Sequence, residues 1–92
     1  MMSLGELSQN LEKLDGWALE GSAITKDYSF HDFKEISDFI SKIAELIGSE
    51  NYRPDIMITE NNIRVSLTTS REIGVTDRDF VIADKIDQIL KN

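Results

Sequence analysis

The sequence predicts an α+β domain in which a four-stranded antiparallel sheet carries three helices on one face. Apolar residues recur at helical spacing in three segments, and two further segments have the pattern of hairpins with short turns. The predicted order is helix, strand, strand, helix, strand, strand, helix. Because hairpins favour antiparallel pairing and each amphipathic helix needs a surface to cover, one sheet under one layer of helices follows.

The first helix is predicted from leucines at spacing three, four, three, which is the spacing of one helical face. The stripe consists of Leu4, Leu7, Leu11 and Leu14. Ser3 and Glu6 have capping-box spacing at its start, and Gly16 is placed to end it. So short a helix is marginal in water, and it is therefore expected to lie on another surface.

The first hairpin is predicted over residues 17–30, with Gly21-Ser22 as a two-residue turn. Lys26 interrupts the apolar face that Ile24 and Tyr28 give the returning strand. Two explanations stay open. Either the Lys26 side chain extends past its apolar neighbours to water, or this strand is only partly covered.

The second helix is predicted to run from about Phe33 to Gly48, with Ser29 and Asp32 as capping candidates. Its apolar stripe consists of Phe33, Ile36, Ile40, Ile43 and Ile47. Phe39, Ala44 and Leu46 widen this surface further. A surface this broad predicts contact with a partner subunit as well as with the sheet, which makes the five stripe residues candidate homo-oligomer contacts. The alternative is a helix covered entirely within one chain.

The second hairpin follows Pro54, which biases Arg53 toward extended backbone and so ends the helical region. A strand over residues 55–60, a turn at Asn61-Asn62 and an alternating strand over residues 63–70 are predicted. Thr76 is placed to cap the last helix, with Asp79 at its third position. A carboxylate there also favours the helix dipole, which gives Asp79 a structural explanation.

The composition limits the functions to consider. The chain of 92 residues is expected to form one domain over residues 1–92, and its net charge of −7 disfavours nucleic-acid binding. It has no cysteine and one histidine, so no metal site and no bound cofactor are expected. No segment has the length of a membrane span, and no secretory signal follows the N-terminus; the expected location is the cytoplasm.

Three polar segments give the chain a resemblance to a known family. They are Asn51-x-x-Pro54-Asp55, Ile63-x-x-x-Leu67-x-Thr69 and Gly74-Val75-Thr76-x-x-Asp79, and Phe30-x-x-Phe33 precedes them. Their order and spacing resemble those of the pterin-4a-carbinolamine dehydratase family, without insertion or deletion between residues 30 and 79. The resemblance implies the same α+β fold, with sheet edges and the long helices forming dimers or tetramers.

The resemblance also implies which residues would carry the family reaction, the loss of water from C4a of a hydroxylated tetrahydropterin. The three family histidines correspond to Tyr52, Arg53 and Ser70, and only Asp79 is retained. Histidine suits both proton transfers because its pKa lies near neutral pH, whereas tyrosine titrates near 10 and arginine stays protonated. The chain is therefore expected to be a degenerate member that acts as a binding or assembly module.

Two further hypotheses concern the cleft that the resemblance assembles from Tyr52, Arg53, Ser70, Arg71 and Asp79. In the enzymatic alternative, Tyr52, Ser70 and Asp79 still dehydrate a pterin carbinolamine, weakly or with altered specificity. In the other, the cleft binds an anion such as phosphate, sulfate or a carboxylate. All four arginines lie between residues 53 and 78, and the guanidinium fork suits such groups. The expected partners are thus other copies of the chain, a pterin or small anion, or another protein.

Overall fold

The computed structural model describes residues 2–48 and 51–91, and it confirms the predicted α+β class and element order. The elements are α1 (Leu4–Glu12), β1 (Ala18–Glu20), β2 (Ala23–Ser29), α2 (Phe33–Ile47), β3 (Asp55–Thr59), β4 (Asn62–Leu67) and α3 (Asp77–Ile89). No helix within the described ranges has the length and hydropathy needed to cross a bilayer.

The four strands form one antiparallel sheet in the order β1-β2-β4-β3, so β1 and β3 are its edges. Along the two central strands, successive side chains point to opposite faces of the sheet. The covered face carries the buried side chains Ile24, Tyr28, Ile63, Val65 and Leu67. On the opposite face, Arg64 and Asp27 are exposed register partners whose Nε and Oδ1 atoms lie 2.9 Å apart. The helices therefore cover one face and leave the other to solvent.

Side chains at the three helix starts satisfy backbone N–H groups that lack intrahelical partners. Ser3 and Glu6 form the predicted capping box of α1. At α2 the Asp32 carboxylate accepts from the Glu35 N–H at 3.0 Å, whereas Ser29 instead donates its hydroxyl to Asn62 Oδ1 at 2.7 Å. Of the two capping candidates for α2, Asp32 is thus confirmed and Ser29 is wrong.

The first helix is shorter than predicted. It ends at Glu12, so Leu14 lies beyond it and Gly16 belongs to the following loop, where its φ is +85°. A side chain at Gly16 would also meet the Lys26 stem, since an added Cβ would lie 3.1 Å from Lys26 Cε. At the other end of the stripe, the Leu4 side chain is 78 % exposed. The leucine spacing thus predicted the helix but not which leucines would be covered.

The turn between β3 and β4 differs from the prediction in its residues. Glu60 adopts the positive φ, at 54°, whereas Asn62 is the first residue of β4. The register explains this, because Thr59 pairs with Asn62 and leaves only Glu60 and Asn61 to form the loop. Pairing along the strands has overridden the ordinary preference of asparagine for left-handed backbone.

The apolar stripe of α2 is largely covered within one chain. Ile36, Ile43 and Ile47 are buried in the core beneath the helix, while Phe33 is 63 % exposed and Ile40 is half-buried. The prediction that the stripe is too broad to be covered within one domain is therefore wrong for these three isoleucines. Only Phe33 and Ile40 remain available for a contact between subunits.

A buried carboxylate on α3 explains the lysine in β2. Asp87 accepts from Trp17 Nε1 at 3.0 Å, from the Tyr28 hydroxyl at 2.6 Å and from Lys26 Nζ at 2.9 Å. The Lys26 ammonium also donates to the Asp15 carbonyl at 2.6 Å. Lys26 is therefore the ion-pair partner of a buried acid and points to the covered side of the sheet. Sequence periodicity gave no sign of this role for Asp87.

Replacing Asp87 by alanine is expected to lower the free energy of unfolding by about 3 kcal/mol, because a part-buried ammonium and two buried donors lose their acceptor. Urea denaturation with circular dichroism measures this change. The control is Asp84→Ala, an exposed acid on the same helix, which should change stability by less than about 0.5 kcal/mol. Equal losses in the two variants would contradict the structural role of Asp87.

Candidate functional site

A cleft of about 410 Å³ opens between the C-terminal half of α2 and the start of β3. Its described lining residues are Ile40, Ile43, Ala44, Ile47, Gly48, Tyr52, Arg53, Pro54 and Ile56. The walls are thus mostly aliphatic, and the chain segment that precedes β3 supplies the polar groups. Two of these residues, Tyr52 and Arg53, are positions that the sequence assigned to a candidate site.

The carboxylate of Asp79, in the first turn of α3, is fully enclosed. Its Oδ1 atom accepts from the Tyr52 hydroxyl at 2.5 Å. Its Oδ2 atom accepts from the Thr69 hydroxyl and from the Thr76 N–H, each at 2.8 Å. Three donors thus hold the carboxylate, and this confirms the predicted bond between Asp79 and the backbone at the start of the helix. Charge-assisted bonds of this kind stabilise an ionised acid away from water.

Tyr52 separates Asp79 from the cleft. Its side chain is only 6 % exposed, and the Arg78 guanidinium carbon lies 5.0 Å from the ring centroid. Burial raises the pKa of Tyr52 well above its ordinary value, and the hydrogen bond to Asp79 raises it further, against a smaller lowering by Arg78. The phenol therefore stays protonated at neutral pH and is a poor acid.

The other candidate positions do not converge on the cleft. The Ser70 hydroxyl oxygen accepts from the Ile73 N–H at 3.0 Å and so stabilises the turn before α3. Arg71 lines a different cavity, of about 330 Å³, beside Leu4 and Leu19. Of the five predicted cleft residues, the structure brings Tyr52 and Arg53 to one cavity and places Asp79 behind Tyr52. Ser70 lies in the turn before α3, and Arg71 lines the other cavity.

The four arginines also differ in their surroundings. Arg64 pairs with Asp27 and Glu20 on the open face of the sheet, and Arg78 lies over the Tyr52 ring. Arg53 is exposed at the cleft, and within the described part of the chain no carboxylate lies at ion-pair distance from it. Their closeness in sequence therefore does not indicate one cationic site.

The only histidine lies far from the cleft. His31 precedes α2, where its N–H donates to Glu35 Oε1 at 2.7 Å and its carbonyl oxygen accepts from Asn61. The cleft lies along the C-terminal half of this 15-residue helix, so its lining begins roughly 10 Å from the helix start at Ile40 and ends roughly 20 Å from it at Ile47, at 1.5 Å per residue. Among the described residues that line the cleft, none is a histidine or a carboxylate. The arrangement can bind and orient a molecule, but these residues do not provide a proton donor matched to neutral pH.

Sequence reasoning missed two contributors to this site and the contacts of a third. Ile43 and Ile47 were assigned to an oligomer contact, yet they form a cleft wall from within one chain. Thr69 was recognised only as a family position, although its hydroxyl also contacts that of Thr76 at 2.7 Å. A usable signal existed for Thr69, since a polar residue that ends an alternating strand lies near the elements that follow it.

The chain is similar over most of its length to one known family and to proteins named after that family's activity. Residues 1–89 match the family described as pterin 4 alpha carbinolamine dehydratase. A protein from Sulfurisphaera tokodaii named "Putative pterin-4-alpha-carbinolamine dehydratase" is 42 % identical, with 92 % of this chain and 91 % of that protein covered. A Nostoc protein of the same name is 39 % identical, with 97 % and 96 % covered.

Among solved structures, the crystal structure described as transcriptional coactivator/pterin dehydratase from Brucella melitensis superimposes with a TM-score of 0.87. The two chains are 31 % identical, and the alignment covers 96 % of each. Coverage of 96 % in both directions means that nearly all of the fold is shared.

The chain has two tyrosines, and each donates to a buried carboxylate: Tyr28 to Asp87 and Tyr52 to Asp79. Burial raises the pKa of each phenol above its ordinary value of about 10. Above pH 10 the unfolded chain loses these protons while the folded chain keeps them. The contribution of the two tyrosines to the free energy of unfolding should therefore be fully present below about pH 10. Above that pH the free energy of unfolding should fall by up to about 1.4 kcal/mol per tyrosine for each pH unit. Tyrosinate absorbance should appear together with the loss of helical circular dichroism. Titration of either tyrosine in the intact fold near its ordinary pKa would contradict this.

Proposed function

Since the chain belongs to the pterin 4 alpha carbinolamine dehydratase family, we propose that it acts by binding and assembly, with little or no dehydration. The observation that carries this proposal is the enclosure of Asp79 behind Tyr52. Asp79 is the one catalytic position that the family resemblance retains. A carboxylate with no exposed surface and three protein donors does not contact a molecule in the cleft without rearrangement.

The requirements of the reaction support the proposal. Dehydration protonates a leaving hydroxyl and removes a proton from a ring nitrogen, so groups that exchange protons near neutral pH are needed. The raised pKa of Tyr52 makes it a poor proton donor, and the guanidinium of Arg53 is effectively never deprotonated. Loss of positioned acid–base catalysis typically lowers a rate by about 10²- to 10⁴-fold.

The enzymatic alternative is favoured by the names of relatives that are about 40 % identical. It requires Tyr52, Ser70 and Asp79 to face one substrate. The observed contacts oppose this, because Ser70 holds a turn and Asp79 faces the interior. A rearrangement that frees Asp79 would first have to break its bond with the Tyr52 hydroxyl.

For assembly, we infer a homo-oligomer formed through α2 and the free edge of β3. Phe33 is 63 % exposed near the start of α2, while Met57 and Ile58 on the edge strand are 63 % and 42 % exposed. Two-fold symmetry would place the same apolar groups opposite each other. The Brucella structure is described as a transcriptional coactivator as well as a dehydratase. A role of this chain through contacts with another protein would correspond to the coactivator part of that description.

The purified protein is expected to dehydrate a 4a-hydroxytetrahydropterin at close to the uncatalysed rate, because no group that faces the cleft matches the two proton transfers. Stopped-flow absorbance measures this rate, with a relative that carries all three histidines as the positive control. A rate within about tenfold of that control would overturn the binding proposal. Asp79→Asn would then show whether this carboxylate is responsible.

Light scattering at micromolar concentration is expected to give the mass of a dimer or tetramer. Phe33→Asp should lower the mass while the circular dichroism spectrum at room temperature stays that of the folded chain, since the side chain is mostly exposed within one chain. The matched control is Val81→Asp on α3, where the side chain is 52 % exposed and no interface is inferred. A monomer mass for the unchanged protein would sink the assembly proposal, as would equal effects of the two substitutions.

A further inference from the structure

We propose that the Asp15-Gly16 peptide is a site of spontaneous isomerisation in the folded protein, and that Lys26 directs the product toward isoaspartate. The site lies in the loop between α1 and β1, outside the lining of the cleft, and does not depend on whether the chain dehydrates a pterin. The modification adds no mass, but it reroutes the main chain through the side-chain carbons of Asp15. Three features support it: the residue pair, the exposure of the loop and one hydrogen bond.

The residue pair itself favours the reaction. Asp15 is the only aspartate or asparagine of the chain that a glycine follows. Glycine has no Cβ, so no side chain hinders the approach of its nitrogen to the carboxyl carbon of the preceding residue. All other aspartates precede residues with side chains, which would crowd the ring that this approach forms.

Both reacting groups are exposed and accessible to each other. Asp15 and Gly16 lie in the bend that follows α1, where the φ of Gly16 is +85°. Within the described part of the chain, no hydrogen bond or ion pair holds the Asp15 carboxylate or the Gly16 N–H. By contrast, the Asp32 carboxylate is engaged as the cap of α2. The carboxyl carbon of Asp15 and the nitrogen of Gly16 can therefore meet without the loss of a contact.

The first step closes a ring. The Gly16 nitrogen loses its proton and attacks the side-chain carboxyl carbon of Asp15, whose C–OH bond breaks, so that the proton and the hydroxyl leave as water. The product is a succinimide, in which the nitrogen is bonded to both carbonyl carbons of residue 15. Lys26 favours this step because its ammonium donates to the Asp15 main-chain oxygen at 2.6 Å. That bond draws electron density from the peptide that contains the Gly16 nitrogen, which makes its proton easier to remove.

The second step opens the ring, and Lys26 favours opening at the main-chain carbonyl. Water adds to one of the two carbonyl carbons and breaks its bond to the nitrogen, so no oxidant or other reactant is required. Addition at the side-chain carbon restores aspartate, whereas addition at the main-chain carbon gives isoaspartate with a free α-carboxylate. Negative charge develops on the oxygen of the carbonyl that is attacked, and the ammonium already contacts the main-chain oxygen. The Lys26 side chain is 18 % exposed, so solvent screens this contact less than it would at the surface.

Isomerisation acts on the contacts that position α3. Lys26 pairs with Asp87 at 2.9 Å, and the indole of Trp17, next to the site, donates to the same carboxylate at 3.0 Å. The new α-carboxylate competes with Asp87 for the ammonium, and the longer main chain displaces Trp17. The isomerised protein is therefore expected to unfold at a lower urea concentration than the unmodified protein.

Ageing of the folded protein for several weeks at neutral pH, in water enriched in oxygen-18, tests the proposal. Trypsin then cleaves after Lys13 and Lys26 in ordinary water, and the peptide of residues 14–26 between them holds no other aspartate than Asp15 and no asparagine. Each ring opening leaves one heavy oxygen atom in this peptide, and electron-transfer fragmentation distinguishes isoaspartate from aspartate. Labelled isoaspartate should accumulate, and a carboxyl methyltransferase specific for isoaspartyl residues should methylate the aged protein but not the fresh protein.

The ratio of isoaspartate to labelled aspartate should be about three- to tenfold higher in the folded protein than in the chain aged in guanidinium chloride, the net effect of one such hydrogen bond. The double variant Lys26→Met, Asp87→Asn should lower the ratio to the denatured value without leaving a buried charge unpaired. Asp15→Glu should abolish the label, because a larger ring closes far less readily.

The proposal fails if the peptide of residues 14–26 from the folded protein gains no heavy oxygen, or if its ratio equals that of the denatured chain. It fails equally if the double variant, folded by circular dichroism, keeps the high ratio. If the double variant does not fold, the comparison with the denatured chain decides. Dehydratase activity would refute the proposed function without bearing on these outcomes.

Discussion

The enclosed carboxylate of Asp79 is the interaction on which the arrangement of the site depends. It joins the start of α3, the segment that follows β4 and the segment that precedes β3, through bonds to Thr76, Thr69 and Tyr52. Thr76 and Thr69 lie three and ten residues before Asp79, whereas Tyr52 lies 27 residues before it. A buried acid with three donors tolerates little displacement of any of them, because each lost bond leaves charge without compensation. The shape of the cleft, whose wall includes Tyr52, follows from this constraint.

A second carboxylate on the same helix has a parallel role. Asp87 lies eight residues after Asp79, about 12 Å along the helix axis, and binds Lys26, Tyr28 and Trp17 from the first half of the chain. Helix α3 is thus fixed near both ends by polar contacts, with Phe80, Ala83 and Ile86 packed between them. Apolar burial supplies most of the stability of such a domain, whereas the two acids determine the position and rotation of the helix on the sheet.

The sequence predicted the elements well and the contacts between them poorly. Periodicity identified all three helices and both hairpins, since amphipathic spacing is a local property. Contacts between distant segments leave no such pattern, so the pairing of Lys26 with Asp87 could not be inferred. The site shows the same division. Family spacing located Tyr52 beside Asp79, but neighbouring sequence positions did not reveal that Arg53 and Arg71 line separate cavities. Side-chain direction depends on local backbone geometry, which residue types alone do not determine.

The phenol at position 52 connects the fold to the proposed change of function. At this position the resemblance implies an imidazole, which is smaller and can gain or lose a proton near neutral pH. A phenol also reaches a carboxylate, as the 2.5 Å bond to Asp79 shows, but its pKa rises on burial. A tyrosine at position 52 therefore makes the contact that organises the site in this chain without supplying a group that exchanges protons near neutral pH. The proposed function, binding and assembly without dehydration, requires only that the fold and its contacts persist, and it does not require a group that exchanges protons near neutral pH.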